Sequence, residues 1–154
     1  MTVSPLPPNS WIGILGGGQL GRMAALAAAP LGYRVHIFTP ENDGPASQVA
    51  ARTTVASFDD TDALKAFAAQ VDVVTLEFEN VPLAAVKTIE AQTRLCPGPK
   101  ALEIAQHRAV EKQTADELGL TPVPWRPVTN LDELTQAVAA LGVARCAENR
   151  TPWV

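Results

Sequence analysis

A glycine-rich turn after a short apolar run constrains the fold of this chain more than any other feature. The run Trp11–Leu15 ends at Gly16, Gly17 and Gly18, and an Ala- and Leu-rich segment follows. With Gly21, these residues have the spacing G-x-G-x-x-G, in which glycine permits a sharp turn, close approach of a ligand and close helix packing. The order predicts the first strand, loop and helix of a Rossmann-like domain, whose helix N–H groups face a crevice and favour an anion.

Strand-like and helix-like segments then alternate. The predicted helices are Gln19–Ala29, a short one at Pro45–Ala50, Thr61–Ala69 and 82–92. The predicted strands after the first are Tyr33–Phe38, Arg52–Ala56, Val71–Leu76 and Arg94–Cys96. This alternation predicts an α/β fold with a doubly wound, mostly parallel sheet, whose ligands bind beyond the carboxyl ends of the strands.

Composition divides the chain into four parts. Residues 1–10 are proline-rich and predict a flexible tail, and residues 11–98 hold the alternating segments. Pro97-Gly98-Pro99 marks a boundary, after which residues 99–143 contain three predicted helices. Residues 144–154 lack a regular pattern, and the last two parts together are too short to close a second domain of ordinary size.

Charge and cysteine usage exclude several classes of protein. The net charge of -4 gives no sign of a nucleic-acid partner, and the Ala-rich helix is broken at Pro30 before it is long enough to span a bilayer. No signal peptide is recognised at the N-terminus. Cys96 and Cys146 form no metal-ligand pattern and are expected to be buried or half-buried thiols. The sequence therefore predicts a cytoplasmic protein without a nucleic-acid or membrane partner.

Two carboxylates follow the predicted strand Val71–Leu76. Glu77 and Glu79 flank Phe78, and in an extended chain residues two apart point to the same side. Because the glycine loop and these acids both lie at carboxyl ends of strands, they are expected to face one crevice. This pair of carboxylates can hold an amine, ribose hydroxyls or a metal. The alternative interpretation is that Glu77 and Glu79 are two solvated acids that follow a strand.

Two other functions fit part of this pattern. A nicotinamide-dependent oxidoreductase carries an acid at the end of its second strand, to bind the adenosine ribose. This chain has Thr39-Pro40 there, with Glu41 slightly later, and hydride transfer leaves the later acids without a role. A standalone nucleotide-binding module is the other alternative.

Three segments together resemble the N5-carboxyaminoimidazole ribonucleotide synthetases, the ATPase subunits of phosphoribosylaminoimidazole carboxylase. They are Gly16–Met23, Glu77–Val81 and Arg108–Lys112. The family belongs to the ATP-grasp superfamily, and the resemblance covers Trp11 to Leu141. It implies that residues 11–98 are a Rossmann-like substrate-binding domain and that residues 99–143 are the incomplete start of an ATP-grasp domain.

The resemblance also implies a reaction. The family uses ATP, Mg²⁺ and bicarbonate to carboxylate the exocyclic amine of 5-aminoimidazole ribonucleotide in purine biosynthesis, and its full-length members are expected to be homodimers. No catalytic or metal-binding residue is carried over to this chain. Carried over are ribonucleotide contacts at Gln19, Leu20, Glu77 and Glu79, a phosphate-loop backbone at Gly16, Gly17, Gly18 and Gly21, and an ATP contact at Arg108.

The last residues depart from the family, which continues with a strand carrying a lysine and then a Gly-Tyr-Asp-Gly loop. This chain is therefore expected to bind ribonucleotide weakly and to lack synthetase activity by itself. Codons can be chosen for Arg145–Val154 that have a second meaning in the next reading frame. When they are read one base later, they encode Val-Ala-Leu-Lys-Thr-Ala-Arg-Leu-Gly. We expect residues 144–154 to be a frameshifted tail, disordered or poorly packed after Val143. Glu148, Asn149 and Arg150 are expected to break any strand pattern, and Pro152 to block a helix. The gene sequence tests this.

Overall fold

A computed structural model describes residues 5–142 and 148–149, which divide into two compact units between Pro99 and Lys100. The first unit is an α/β domain with a 3-10 helix at Ala29–Leu31. Its strands are β1 (Trp11–Leu15), β2 (Arg34–Thr39), β3 (Arg52–Val55) and β4 (Val73–Leu76). Its helices are α1 (Gln19–Ala28), α2 (Thr61–Ala68) and α3 (Leu83–Glu90).

The four strands form one parallel sheet in the order β3-β2-β1-β4. The chain moves outward from β1 to β2 and β3, and then crosses to the other side of β1 to add β4. In such sheets the ligand crevice opens beyond the carboxyl ends of the strands where this reversal occurs. The predicted fold class is confirmed, and the topology places the crevice beyond β1 and β4.

The core lies on both faces of this sheet, as a parallel sheet requires. Phe38 and Phe67 are fully buried, and their rings meet edge to face with centroids 5.3 Å apart. A Cβ added at Gly13 would lie 2.7 Å from the Phe67 ring, so the glycine in β1 lets α2 pack closely. The other large, fully buried apolar side chains of the unit are Leu15, Ile37, Leu64, Val74, Val81, Val86 and Ile89.

His36 of β2 is fully buried in this core. Its Nε2 is 2.9 Å from Thr54 Oγ1, whereas its Nδ1 has no hydrogen-bond partner among the described residues. Burial, and then the nearby positive charge of Arg52, lower the pKa of His36 from 6.5 to about 4. The ring is therefore neutral in the folded protein at neutral pH, and a proton on Nδ1 would lack an acceptor.

Local signals set several element ends. Asp60 accepts a hydrogen bond from the Ala63 N–H at 2.9 Å and so caps the N-terminus of α2. The 3-10 helix ends at Gly32, whose φ of 82° is easily adopted only by glycine. Near the N-terminus, the Leu6 carbonyl accepts a hydrogen bond from the Tyr33 hydroxyl at 2.9 Å.

Two predicted elements are wrong. Residues 45–50 form turns, not a helix, because the Pro45 carbonyl accepts from the Arg22 guanidinium and the Ala46 N–H donates to the Gly17 carbonyl. Arg94–Cys96 is reduced to a single parallel bridge between Leu95 and Val74.

The cysteine expectation also needs correction. Cys96 is exposed rather than buried or half-buried, and Cys146 lies outside the described residues.

α4 (Pro99–Ala105) begins at the last residue of the first unit and continues into the second. The second unit also contains α5 (Arg108–Glu117), α6 (Leu131–Leu141), β5 (Pro127–Val128) and β6 (Glu148–Asn149). β5 and β6 pair in parallel, so the expectation that Glu148 and Asn149 break any strand is wrong. The other residues of the proposed frameshifted tail lie outside the described residues. None of the helices in the described part of the chain has the length and apolar character needed to cross a bilayer.

Candidate functional site

A cavity of about 190 Å³ opens at the carboxyl ends of the parallel strands. The loop after β1 forms one wall, and the residues that follow β2, β3 and β4 form the others. Its lining residues are Gly16, Gly17, Gly18, Thr39, Pro40, Glu41, Phe58, Glu77 and Phe78. We call this cavity the glycine-loop pocket. The sheet thus brings the predicted loop and the first predicted acid together, although they are far apart in sequence.

Glu77 joins β4 to the glycine loop. Its N–H donates to the Leu15 carbonyl at 3.0 Å, and its half-buried carboxylate accepts a hydrogen bond from the Gly18 N–H at 2.8 Å. Gly18 is the N-cap of α1 and has no side chain of its own to satisfy the first turn. The Glu77 carboxylate therefore supplies the negative charge that the positive end of this helix favours.

The contact with Glu77 explains why two loop positions are glycine. A Cβ added at Gly18 would lie 2.5 Å from Glu77 Oε1, and one added at Gly16 would collide with Glu77 Oε2. Gly16 also has a φ of 122°, which side chains of L-residues rarely adopt. The loop is therefore glycine-rich partly because it closes around a carboxylate of the same chain.

Thr39 lies where a dinucleotide-binding sheet carries its acid, at the end of β2. The side chain is almost fully buried, and its Oγ1 accepts a hydrogen bond from the Glu41 N–H at 3.2 Å. A Cβ added at Gly17 would lie 2.7 Å from this oxygen, so the Thr39 side chain packs directly against the glycine loop. The position thus holds a small neutral hydroxyl that is already engaged with the protein.

Two aromatic rings complete the pocket. Phe58 follows β3 and is half-buried, and its ring packs on the buried Phe38 ring with centroids 5.7 Å apart. Phe78 is 37% exposed, and its ring edge would lie 3.0 Å from a Cβ at Gly16. Sequence reasoning did not single out Phe58. Its place just beyond β3 is the signal that could have found it, because the carboxyl ends of all the strands share one edge.

The other residues predicted for the site do not line the glycine-loop pocket. Gln19 and Leu20 begin α1, where both are exposed, whereas Gly21 in the same turn is buried. Residues 77–79 form bends, so the extended geometry that would point Glu77 and Glu79 to one side is absent. Glu79 is exposed and is not among the lining residues.

Arg108, the predicted ATP contact, is the first residue of α5 in the second unit. Its guanidinium donates to the Glu111 carboxylate at 2.5 Å, and both side chains are a little under half exposed. In the described part of the chain, no three His, Cys, Asp or Glu side chains lie close enough to hold a metal ion.

Comparison with known proteins now places the chain. Residues 10–106 match the ribonucleotide synthetase preATP-grasp domain. The chain belongs to this family. It is 49% identical over 142 residues to an N5-carboxyaminoimidazole ribonucleotide synthase of Brucella melitensis, covering 92% of this chain and 39% of that protein. This preATP-grasp domain protein therefore spans about two fifths of its curated relative.

Solved structures agree with this assignment. An ADP complex of an N5-carboxyaminoimidazole ribonucleotide synthetase is 40% identical with a TM-score of 0.81, over 90% of this chain and 37% of that one. An Aspergillus clavatus N5-carboxyaminoimidazole synthase in complex with ADP and 5-aminoimidazole ribonucleotide is 29% identical with a TM-score of 0.75, over 88% and 37%. The resemblance predicted from three short motifs is confirmed, and the oxidoreductase alternative receives no support.

Proposed function

We propose that the preATP-grasp domain of this chain binds 5-aminoimidazole ribonucleotide at the glycine-loop pocket. The observation that carries the proposal is the Glu77 carboxylate, held at the crevice by the Gly18 N–H. The Aspergillus clavatus relative, solved with ADP and this ribonucleotide, supports the choice of ligand. A carboxylate suits it, because the exocyclic amine and the ribose hydroxyls of the ribonucleotide are all hydrogen-bond donors.

The hydrogen bonding of Glu77 suits it to accept hydrogen bonds from the ribonucleotide. A carboxylate has about four acceptor sites, and one of them is used by the Gly18 N–H at 2.8 Å. That bond fixes the orientation of the group and leaves acceptor capacity for a ligand. Gln19 and Leu20 contact the ribonucleotide from the start of α1, Glu79 contacts it from the exposed bend after β4, and the backbone of Gly16–Gly18 and Gly21 lies alongside it.

The whole reaction belongs to the longer protein that the relatives represent. In this proposal that protein is a cytoplasmic homodimer of purine biosynthesis that carboxylates the amine with ATP, Mg²⁺ and bicarbonate, and Arg108 contacts ATP. Among the residues that the structure describes, no three His, Cys, Asp or Glu side chains lie close enough to hold a metal ion. In this proposal the chain by itself binds ribonucleotide weakly and lacks synthetase activity.

Calorimetric titration of the full chain with 5-aminoimidazole ribonucleotide tests the proposal. Glu77→Gln keeps an acceptor for Gly18 but removes the charge. Loss of a charged hydrogen bond costs about 1.5–3 kcal/mol, so Kd is expected to rise about ten- to 150-fold. Glu90→Gln, at an exposed acid on α3, is the matched control and leaves Kd unchanged.

Either of two results contradicts the proposal. Equal affinity of wild type and Glu77→Gln removes Glu77 from the site. Absence of any binding to folded wild-type protein at millimolar ribonucleotide removes the ribonucleotide as the ligand.

A further inference from the structure

Arg22 lies on α1, one helical turn after Gly18, and does not line the glycine-loop pocket. Its half-buried guanidinium donates from Nη1 to the Pro45 carbonyl at 3.2 Å and to Gln48 Oε1 at 2.8 Å. Both acceptors belong to the turns between β2 and β3. Because the donor carries a positive charge, these hydrogen bonds are stronger than those between neutral groups. Arg22 therefore ties the segment after β2 to the first helix.

Residues 44–48, which we call the Ala46 turn, lie directly against the glycine loop. The Ala46 N–H donates to the Gly17 carbonyl at 2.9 Å, and the Ala46 side chain is fully buried. A Cβ added at Gly44 would lie 2.7 Å from the same carbonyl oxygen, so a backbone without a side chain makes this contact. The Ala46 turn contains neither a helix nor a strand. Its position depends on the burial of one methyl group and on the hydrogen bonds from Arg22.

The Ala46 turn and Glu77 hold opposite sides of one peptide unit. The Gly17 carbonyl accepts from Ala46, and the Gly18 N–H of the same peptide donates to Glu77 Oε2 at 2.8 Å. Because the C=O and N–H groups of a trans peptide point in opposite directions, the two bonds together fix one orientation. Gly21 lets both partners approach, since a Cβ there would lie 3.3 Å from the Ala46 Cβ and 3.2 Å from Glu77 Oε2.

A peptide between two glycines is easily reoriented, because neither residue has a Cβ that restricts its backbone angles. A flipped Gly17–Gly18 peptide would direct the Gly17 carbonyl at the Glu77 carboxylate and the Gly18 N–H away from it. The carboxylate would then face a negative dipole and would lose the donor that orients it. Contacts on the Ala46 side of the peptide therefore also determine how Glu77 is held.

We propose that Arg22 is a positioning residue for Glu77. It holds the Ala46 turn, and the Ala46 turn keeps the Gly17–Gly18 peptide with its N–H directed at the carboxylate. The hydrogen bonds on the two sides of this peptide also polarise one another. Arg22 thus increases the fraction of the protein in which Glu77 is oriented for a ligand. The effect on ribonucleotide binding rests on the proposed function, whereas the orientation of the peptide needs no ligand.

Amide hydrogen exchange of the full chain, followed by magnetic resonance, measures this orientation without a ligand. Arg22→Met keeps an aliphatic side chain but removes the donors and the charge. The amide protons of Gly18 and Ala46 are expected to exchange about tenfold faster, because loss of a charge-assisted hydrogen bond makes local opening easier. The amide proton of Ile14, in the middle of the sheet, is expected to accelerate less. Arg94→Met, at an exposed arginine, is the control and leaves all three rates unchanged.

Two substitutions at Gln48 separate the hydrogen bond from the bulk of the side chains. Gln48→Glu keeps an oxygen acceptor for Arg22 Nη1, so exchange at Gly18 is expected to stay within about twofold of the wild-type rate. Gln48→Leu removes the acceptor and is expected to speed this exchange. Combined with Arg22→Met, it is expected to add little, because both substitutions remove the same bond.

Titration with 5-aminoimidazole ribonucleotide measures the consequence for binding. Arg22→Met lowers the fraction of protein with a correctly oriented Glu77, so its Kd is expected to rise about two- to tenfold. Gln48→Glu and Arg94→Met are expected to leave the Kd unchanged.

Several results would overturn this inference. In folded Arg22→Met, one is wild-type exchange at Gly18 and Ala46, and another is equal acceleration of Ile14, which indicates a general loss of stability. If Arg22→Met does not fold, the same two criteria apply to Gln48→Leu.

The failure of this inference can be distinguished from failure of the proposed function. If exchange accelerates in Arg22→Met but the Kd does not change, Arg22 does not position Glu77 for binding and the inference is wrong. The proposed function then still stands if Glu77→Gln weakens binding. If the ribonucleotide does not bind folded wild-type protein, the proposed function falls, and the exchange rates alone decide whether Arg22 orients the peptide.

Discussion

The two units of the chain are stabilised in different ways. In the first unit a parallel sheet buries large side chains such as Phe38, Phe67 and Ile89 completely. Among the described residues of the second unit, the buried apolar side chains are Leu102 and Ala137, and α5 has none. Its exposed large apolar side chains are Val110, Leu118, Leu120, Val123, Leu131, Leu134 and Val138.

This difference shows which part of the chain can position a binding site. Tertiary packing of apolar surface supplies most of the stability of helices in proteins, and short helices without it are marginal in water. The first unit therefore holds its loops on a rigid base, whereas the helices of the second unit depend more on local interactions such as caps and ion pairs. The glycine-loop pocket belongs to the first kind of structure.

The largest expected effect comes from removing a core ring. Phe67→Ala leaves a cavity between α2 and the sheet and is expected to lower the free energy of unfolding by about 3–5 kcal/mol. Leu131→Ala, at a side chain that is 75% exposed in α6, is expected to change it by less than about 0.5 kcal/mol. Urea unfolding followed by circular dichroism measures both. Similar losses in the two variants would refute the contrast between the units.

An intermediate effect is expected from pH. The folded pKa of His36, about 4, lies below the ordinary value of 6.5, so the unfolded chain binds the proton first as the pH falls. The stabilisation is complete above pH 6.5 and is lost between pH 6.5 and 4, with a total of about 3 kcal/mol. Urea unfolding at several pH values measures the slope of the free energy of unfolding against pH in the first unit.

A variant of His36 assigns the slope. His36→Gln is expected to flatten it between pH 6.5 and 5, because a glutamine side chain does not titrate. A slope that survives in His36→Gln would mean that other groups cause it.

The smallest expected effect comes from removing a side-chain cap at the N-terminus of a helix. It compares the two units directly, because the same kind of hydrogen bond occurs in both. Asp60 caps α2 and Asn130 caps α6, each accepting from a backbone N–H at 2.9 Å. Replacing either with alanine costs about 1 kcal/mol of local stability. In Asp60→Ala the loss should lower the global free energy of unfolding, whereas in Asn130→Ala it should speed hydrogen exchange in α6 alone. Global destabilisation by both variants would show that the units unfold together.

Local signals in the sequence predicted much of the fold. The apolar run Trp11–Leu15 before the glycines predicted β1 to the residue, and Asn130 and Gly142 bound α6 where the pattern ends. These elements are determined by neighbours in sequence, through burial on both faces, a side-chain cap and a glycine with positive φ.

The parts that could not be predicted depend on contacts between distant residues. Pro45–Ala50 has turns because Arg22 and Gly17 take its backbone groups, and Leu95 pairs with Val74 only at one bridge. The pocket shows the same division. Its glycines and Glu77 were visible as motifs, whereas Phe58 gains its place through the packing of β3 beside β2 and of its ring on Phe38.

The contact between Glu77 and the glycine loop links the evolution of two sites. Because the Glu77 carboxylate occupies the space that a methyl group would need at Gly18, a larger residue there has to displace the end of the Glu77 side chain, which accepts the Gly18 N–H. The two positions are therefore expected to change together. A lineage that changes its ligand by replacing Glu77 also releases the loop to vary, so recognition and loop sequence are expected to diverge together.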